Sequence, residues 1–149
     1  MMSERIVRAL GLLLFLVFVS VGVLFLLAPE APLRGLNSIA VQFGMGRSPL
    51  HGTGFFSIMA TAYMALVAIL ALRIFLHPDV ALNPLLLAQA KAASSLFSFG
   101  GFLLHRPDLI LLVNGVVDGG LALLAILIYR AARFREKQKG LHEHPSCRG

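Results

Sequence analysis

Three side chains sit where their chemistry is out of place. Lys91, Asn114 and Asp118 interrupt long apolar runs. An ionised side chain at the centre of a membrane helix costs at least ~2.5–3.5 kcal/mol on insertion scales, so two unpaired charges would cost about twice that. Pairing Lys91 with Asp118, or neutralising one of them, lowers the cost. Asn114 and Asp118 are four residues apart and share a helical face. Lys91, Ser94, Ser95 and Ser98 follow the three-to-four spacing of one stripe, as do Thr53, Ser57 and Thr61. Two chemistries fit this set. One is a structural ion pair that fixes helix register. The other is a proton or ligand site, in which Asp118 titrates, Lys91 tunes it, and Asn114 and Ser98 bond water or substrate.

These residues need helices to carry them, and the composition says in what solvent. Of the 149 residues, 58% are hydrophobic and 13% charged, with mean hydropathy +0.84. Soluble domains average ~45–50% apolar and ~25% charged residues. The chain therefore reads as one all-α domain, an integral membrane bundle of four transmembrane helices over residues 1–139, followed by a polar, disordered tail at 140–149. Each span needs ~20 mostly apolar residues. The predicted spans are 9–28, 52–72, 85–104 and 108–129. Pro29 stops the first. A cleaved secretory leader is the rival reading of that first span, because Arg5 and Arg8 precede it. Its apolar run is longer than the ~7–15 residues of a leader, which favours a retained helix. The connector at 30–50 is punctuated by Pro and Gly. Within it, Leu36, Ile39, Ala40 and Phe43 recur at the spacing of a short interfacial helix.

Charge placement gives orientation. Arg5, Arg8, Arg73, Arg130, Arg133, Arg135, Lys137, Lys139 and Arg148 fall on one side, and Arg34, Arg47 and Arg106 on the other. Positive charge stays in the cytoplasm, so both termini are expected there. The net charge of +6 sits mainly beside apolar runs. That placement fits the anionic headgroups of a lipid bilayer as the partner and speaks against nucleic acid. The style of the chain fits a multi-pass protein of a bacterial inner membrane.

Counting from the link at residue 106, Lys91 lies ~22 Å deep and Asp118 ~18 Å deep at 1.5 Å per residue. Ser98 and Asn114 match in the same way. Counting from the 77–83 turn brings Thr61 near the level of Ser98. Small residues on the third span, together with Gly115 and Gly119 on the fourth, allow close helix approach. The expected intramembrane polar site is thus Lys91, Asp118, Asn114, Ser98, Ser94 and Thr61.

Other candidates carry less. His51 and His105 lie at the expected outer face, where they are more often simply solvated than metal-binding or pH-sensing. His142, His144 and Cys147 share the tail without a fourth convincing ligand, so no metal site is expected. Phe97, Phe99 and Phe102 read as lipid or packing residues. The single cysteine excludes a disulfide within the chain. No G-x-x-x-x-G-K-S/T loop, H-E-x-x-H helix, G-x-S-x-G elbow or C-x-x-C pair occurs, and no cofactor is expected.

The run Leu26-Leu27-Ala28-Pro29-Glu30 ends the first helix, tight hairpins join the later ones, and Asn114-Gly115 leads to Asp118-Gly119. In length and layout the chain resembles the small four-helix bacterial membrane proteins related to the DoxX group. The resemblance implies the four-helix membrane fold. Some members are linked to quinone-dependent redox systems, which implies an accessory role there. No functional residue is carried over from it. The leading expectation is a non-catalytic accessory or assembly component, alone, as a homo-oligomer or with another membrane protein. The alternatives are a small proton-coupled transporter using Lys91 and Asp118 and, more weakly, an enzyme or accessory acting on lipid or quinone at the outer surface.

Overall fold

A computed structural model describes the backbone of residues 3–45, 53–104 and 108–142, and the side chains within these ranges except at 53–54 and 137–142. The described chain is all-helical: α1 (Glu4–Leu27), α2 (Ala31–Gln42), α3 (Thr53–Leu76), α4 (Leu82–Leu104) and α5 (Leu109–His142). Local chemistry sets the ends. Ser3 caps α1 by accepting from the Ile6 N–H at 3.4 Å, and Glu4 stands in the first turn, where the helix dipole favours a carboxylate. Pro29 follows the C-cap Ala28. The connector helix is α2, with a proline in its first turn. Gly44 ends it at φ +66°. The Gly44 N–H reaches the Val41 carbonyl at 3.2 Å, and the Met45 N–H reaches that of Ala40 at 3.0 Å. This pairing satisfies two orphan carbonyls and needs a residue with positive φ.

The expectation of four membrane helices is met in part. Among the described residues five helices form, and three are long and apolar enough to cross a membrane: Glu4–Leu27, Phe55–Leu76 and Leu109–Glu136. The span expected at 85–104 is α4, which has 23 residues. It falls outside the three because Gln89, Lys91, Ser94, Ser95 and Ser98 dilute its apolar content. The last helix is also longer than expected. It runs past Tyr129 through the basic segment to His142, so the expected boundary at residue 139 falls inside it. Side chains stiffen this extension. Arg133 bonds the Tyr129 hydroxyl one turn back, and Arg135 Nε donates to the Ala131 carbonyl at 3.2 Å. Glu136 accepts the Ala81 N–H at 3.0 Å and ties α5 to the turn before α4.

Two close pairs, α1 with α3 and α4 with α5, are joined through α3 and α4, and α2 lies against α5. The core is densest at one end of the bundle. There Val7, Ile74, Leu87 and Ile128, one from each long helix, are almost fully buried. Gly11 lets α1 and α3 meet backbone to backbone. A Cβ at this position would lie 2.7 Å from the Phe75 nitrogen and 3.2 Å from the Ala71 carbonyl oxygen.

The outer surface is apolar. Phe56, Phe97, Leu103 and Leu104 are 73%, 79%, 79% and 82% exposed. Gly11→Ala is expected to force the two helices apart and cost ~1–3 kcal/mol, the usual range for overpacking. Gly35→Ala, which meets open space, should leave stability unchanged or raise it by up to ~1 kcal/mol. Denaturant unfolding in detergent micelles compares the two.

Candidate functional site

Lys91 is the largest of the fully buried side chains, at 1% exposure. Its stem leaves α4 toward α5, and Nζ donates to Asp118 Oδ1 at 2.8 Å. The ammonium also lies 4.8 Å from the centre of the Phe18 ring on α1 and 4.9 Å from that of Tyr63 on α3. One charge on α4 is therefore met by side chains from the other three long helices. Ring faces carry negative charge density and attract a cation, by ~2 kcal/mol or more once it is desolvated. The carboxylate supplies the balancing charge, so the pair is neutral as a unit.

The surroundings hold this arrangement in place. Tyr63 donates its hydroxyl to the Ala90 carbonyl at 3.0 Å, which fixes the ring beside Lys91. Ser95 donates to the Gly115 carbonyl at 2.7 Å. Asn114 Nδ2 donates to Ser98 Oγ at 2.7 Å, with Ser94 Oγ at 3.4 Å. These bonds cross from α4 to α5 and match the depths counted from the sequence. Two glycines permit the approach. A Cβ on Gly115 would come within 3.1 Å of the Phe99 ring, and one on Gly119 within 3.0 Å of Ser95 Oγ.

Five of the six expected residues are thus brought together: Lys91, Asp118, Asn114, Ser98 and Ser94. Thr61 goes elsewhere. It borders a separate cavity of ≈ 180 Å³ between α1 and α3, and its buried hydroxyl has no hydrogen-bond partner. Facing α1 rather than α5, it does not bond the serines of α4. The side chain of Thr53 and the candidates His51, His105, His142, His144 and Cys147 lie outside the described residues or side chains. Among the described residues, no three of His, Cys, Asp and Glu gather as metal ligands.

Sequence reasoning missed Phe18 and Tyr63. Phe18, one of three Phe in an apolar helix, carries no local mark of a cation partner, and only the packing of α1 and α3 against α4 gives it one. Tyr63, one of two tyrosines, had a weak signal in its polar hydroxyl within an apolar run.

On the deep side of the pair the core closes. On the other, toward α2, a cavity of ≈ 380 Å³ lies between α1 and α5, with Lys91, Asp118 and Asn114 in its wall. Asp118 Oδ1 is taken by Lys91, whereas its buried Oδ2 has no partner. No family model matches the chain, and no curated protein or solved structure matches it either.

Removing one member of the pair strands the other. Lys91→Met is expected to cost ~3–5 kcal/mol, as for other buried pairs that lose one partner. Lys91→Met combined with Asp118→Leu should recover most of that loss, because no charge is then left buried. Unfolding midpoints of the two single variants and the double variant measure this coupling.

Proposed function

We propose that the chain is a four-span membrane protein with cytoplasmic termini, serving as a non-catalytic accessory or assembly component. The observation that carries the reading is the full engagement of the Lys91 ammonium. One carboxylate and two ring faces surround it at 1% exposure. A group held in this way sets register and has little freedom to exchange protons or bind substrate.

The membrane part of the proposal rests on inverted polarity. Among the described residues the largest fully buried side chain is a lysine, while Phe and Leu cover the outside. Water would not stabilise that arrangement, and lipid does. Three helices are long and apolar enough to cross by themselves. We count α4 as the fourth span. Its 23 residues reach ~34 Å, enough for a hydrocarbon core of ~30 Å. Its buried polar residues Lys91, Ser95 and Ser98 turn inward, and its outward Leu86, Leu96 and Phe97 are apolar. With four spans, Lys and Arg accumulate on the side of both termini, which is the cytoplasmic side.

One observation favours the second reading, a small proton-coupled transporter. The cavity reaches Asp118, and Oδ2 has no partner. The DoxX-like resemblance adds an accessory role in a lipid or quinone redox system as a third.

Charge reversal separates the first two. If the pair is a clamp, Lys91→Asp and Asp118→Lys each lower folded yield and Tm, and the double swap restores both. If the singly changed chains fold normally but lose proton-driven uptake, the transporter reading replaces it. Topology is tested with maleimide. Cys147 should react only after the membrane is permeabilised, whereas Ser38→Cys in a Cys147→Ser background should react from outside. Labelling of Cys147 from outside would overturn the orientation.

A further inference from the structure

The ≈ 380 Å³ cavity lies within the ~300–1,000 Å³ range of small-molecule sites. Its two ends differ in chemistry. The deep end holds Lys91, Asp118 and Asn114, and the end beneath α2 is walled by Phe25, Leu36 and Ile110. From Asp118 to Ile110 along α5 is ~12 Å. The clamp uses the ammonium and one carboxylate oxygen and leaves other polar atoms over.

Those remaining atoms define what fits. Lys91 and Asp118 cancel, so the wall carries no net charge to hold an anion or a cation. Asp118 Oδ2 is buried without a partner and can only accept. Asn114 Nδ2 is committed to Ser98 and Ser94, so the atom it has left to offer is its carbonyl, a second acceptor. An acceptor at the closed end of an apolar cavity calls for a donor on an otherwise apolar guest.

We propose that this cavity binds a small uncharged amphiphile, an apolar alcohol, with its hydroxyl donated to Asp118 and its hydrocarbon end beneath α2. The alcohol enters from the bilayer, so the proposal rests on the membrane reading for its route. Its orientation separates it from bulk lipid. A bilayer lipid seated from the α2 side would keep its polar group at the level of α2 and lower its chain toward Asp118. The guest proposed here does the reverse.

The test uses the full chain in phosphatidylcholine nanodiscs and two photoreactive probes. One is a ten-carbon alcohol with a diazirine at its hydrocarbon end, and the other is its methyl ether. The expected result is cross-linking centred on Phe25 and Leu36, competed by unlabelled decanol. The alcohol should label about tenfold more than the ether, the loss that follows from removing one hydrogen bond to a charged acceptor. Val21→Trp and Val117→Trp, which fill the cavity wall, should each reduce labelling to a similar degree.

Equal labelling by alcohol and ether would overturn the proposal and leave bulk lipid as the occupant. So would labelling spread evenly to Phe97 and Leu103 on the outer surface, or full labelling in a folded Trp variant. If both Trp variants fail to fold, the ratio of alcohol to ether in the unaltered chain decides. Failure of the membrane reading appears separately, as release of the chain from membranes by alkaline carbonate.

Discussion

A lysine ammonium in an apolar interior is tolerated only when its neighbours replace water. Here the replacement comes from the three other long helices. Asp118 on α5 supplies the countercharge, and Phe18 on α1 and Tyr63 on α3 supply ring faces. Apolar packing alone leaves a helix free to slide or turn by a residue at small cost. A buried charge does not, because a shift of one residue turns the lysine away from its partners. On the reading proposed here the ion pair acts on register more than on net stability, and the small residues around it fit that role. Gly115 and Gly119 bring α5 close enough for a 2.8 Å contact, and Ser95 and Asn114 fix the rotation of the two helices.

The α4–α5 pairing was legible in the sequence because it depends on regular geometry. A fixed rise per residue and a short link convert sequence distance into depth, so Lys91 could be matched to Asp118, and Ser98 to Asn114, by counting. Helix ends were legible at Pro29, where chemistry is local. Other features depend on what is distant in the chain. Counting from the 77–83 turn gave the height of Thr61 but not its azimuth. The close seating of α1 on α3 at Gly11 gives Thr61 a neighbour on α1 instead of α4. The length of α5 was underestimated for a related reason. A basic run after an apolar span reads as the end of a helix, yet the Ala81 N–H on the facing turn gives Glu136 a reason to continue it.

The bundle is uneven along its axis. One end is closed by Val7, Ile74, Leu87 and Ile128, and the other stays open between α1 and α5, where α2 crosses. Connectivity accounts for this. The close pairs are α1 with α3 and α4 with α5, and the joint between them runs through α3 and α4. Nothing obliges α1 and α5 to meet along their whole length. The gap that remains borders the ion pair and shares its residues.

Lys91 also has a consequence for biosynthesis. It leaves the ribosome before Asp118, which follows 27 residues later. Until then α4 carries an uncompensated charge, and it is the one long helix described that is not apolar enough to cross by itself. Delivered alone to an insertion machinery, it partitions poorly into lipid. Delivered with α5 as a hairpin, it enters already neutralised. Under the four-span proposal, the order of synthesis makes α4 wait for α5, and the unit that crosses into the bilayer is the pair.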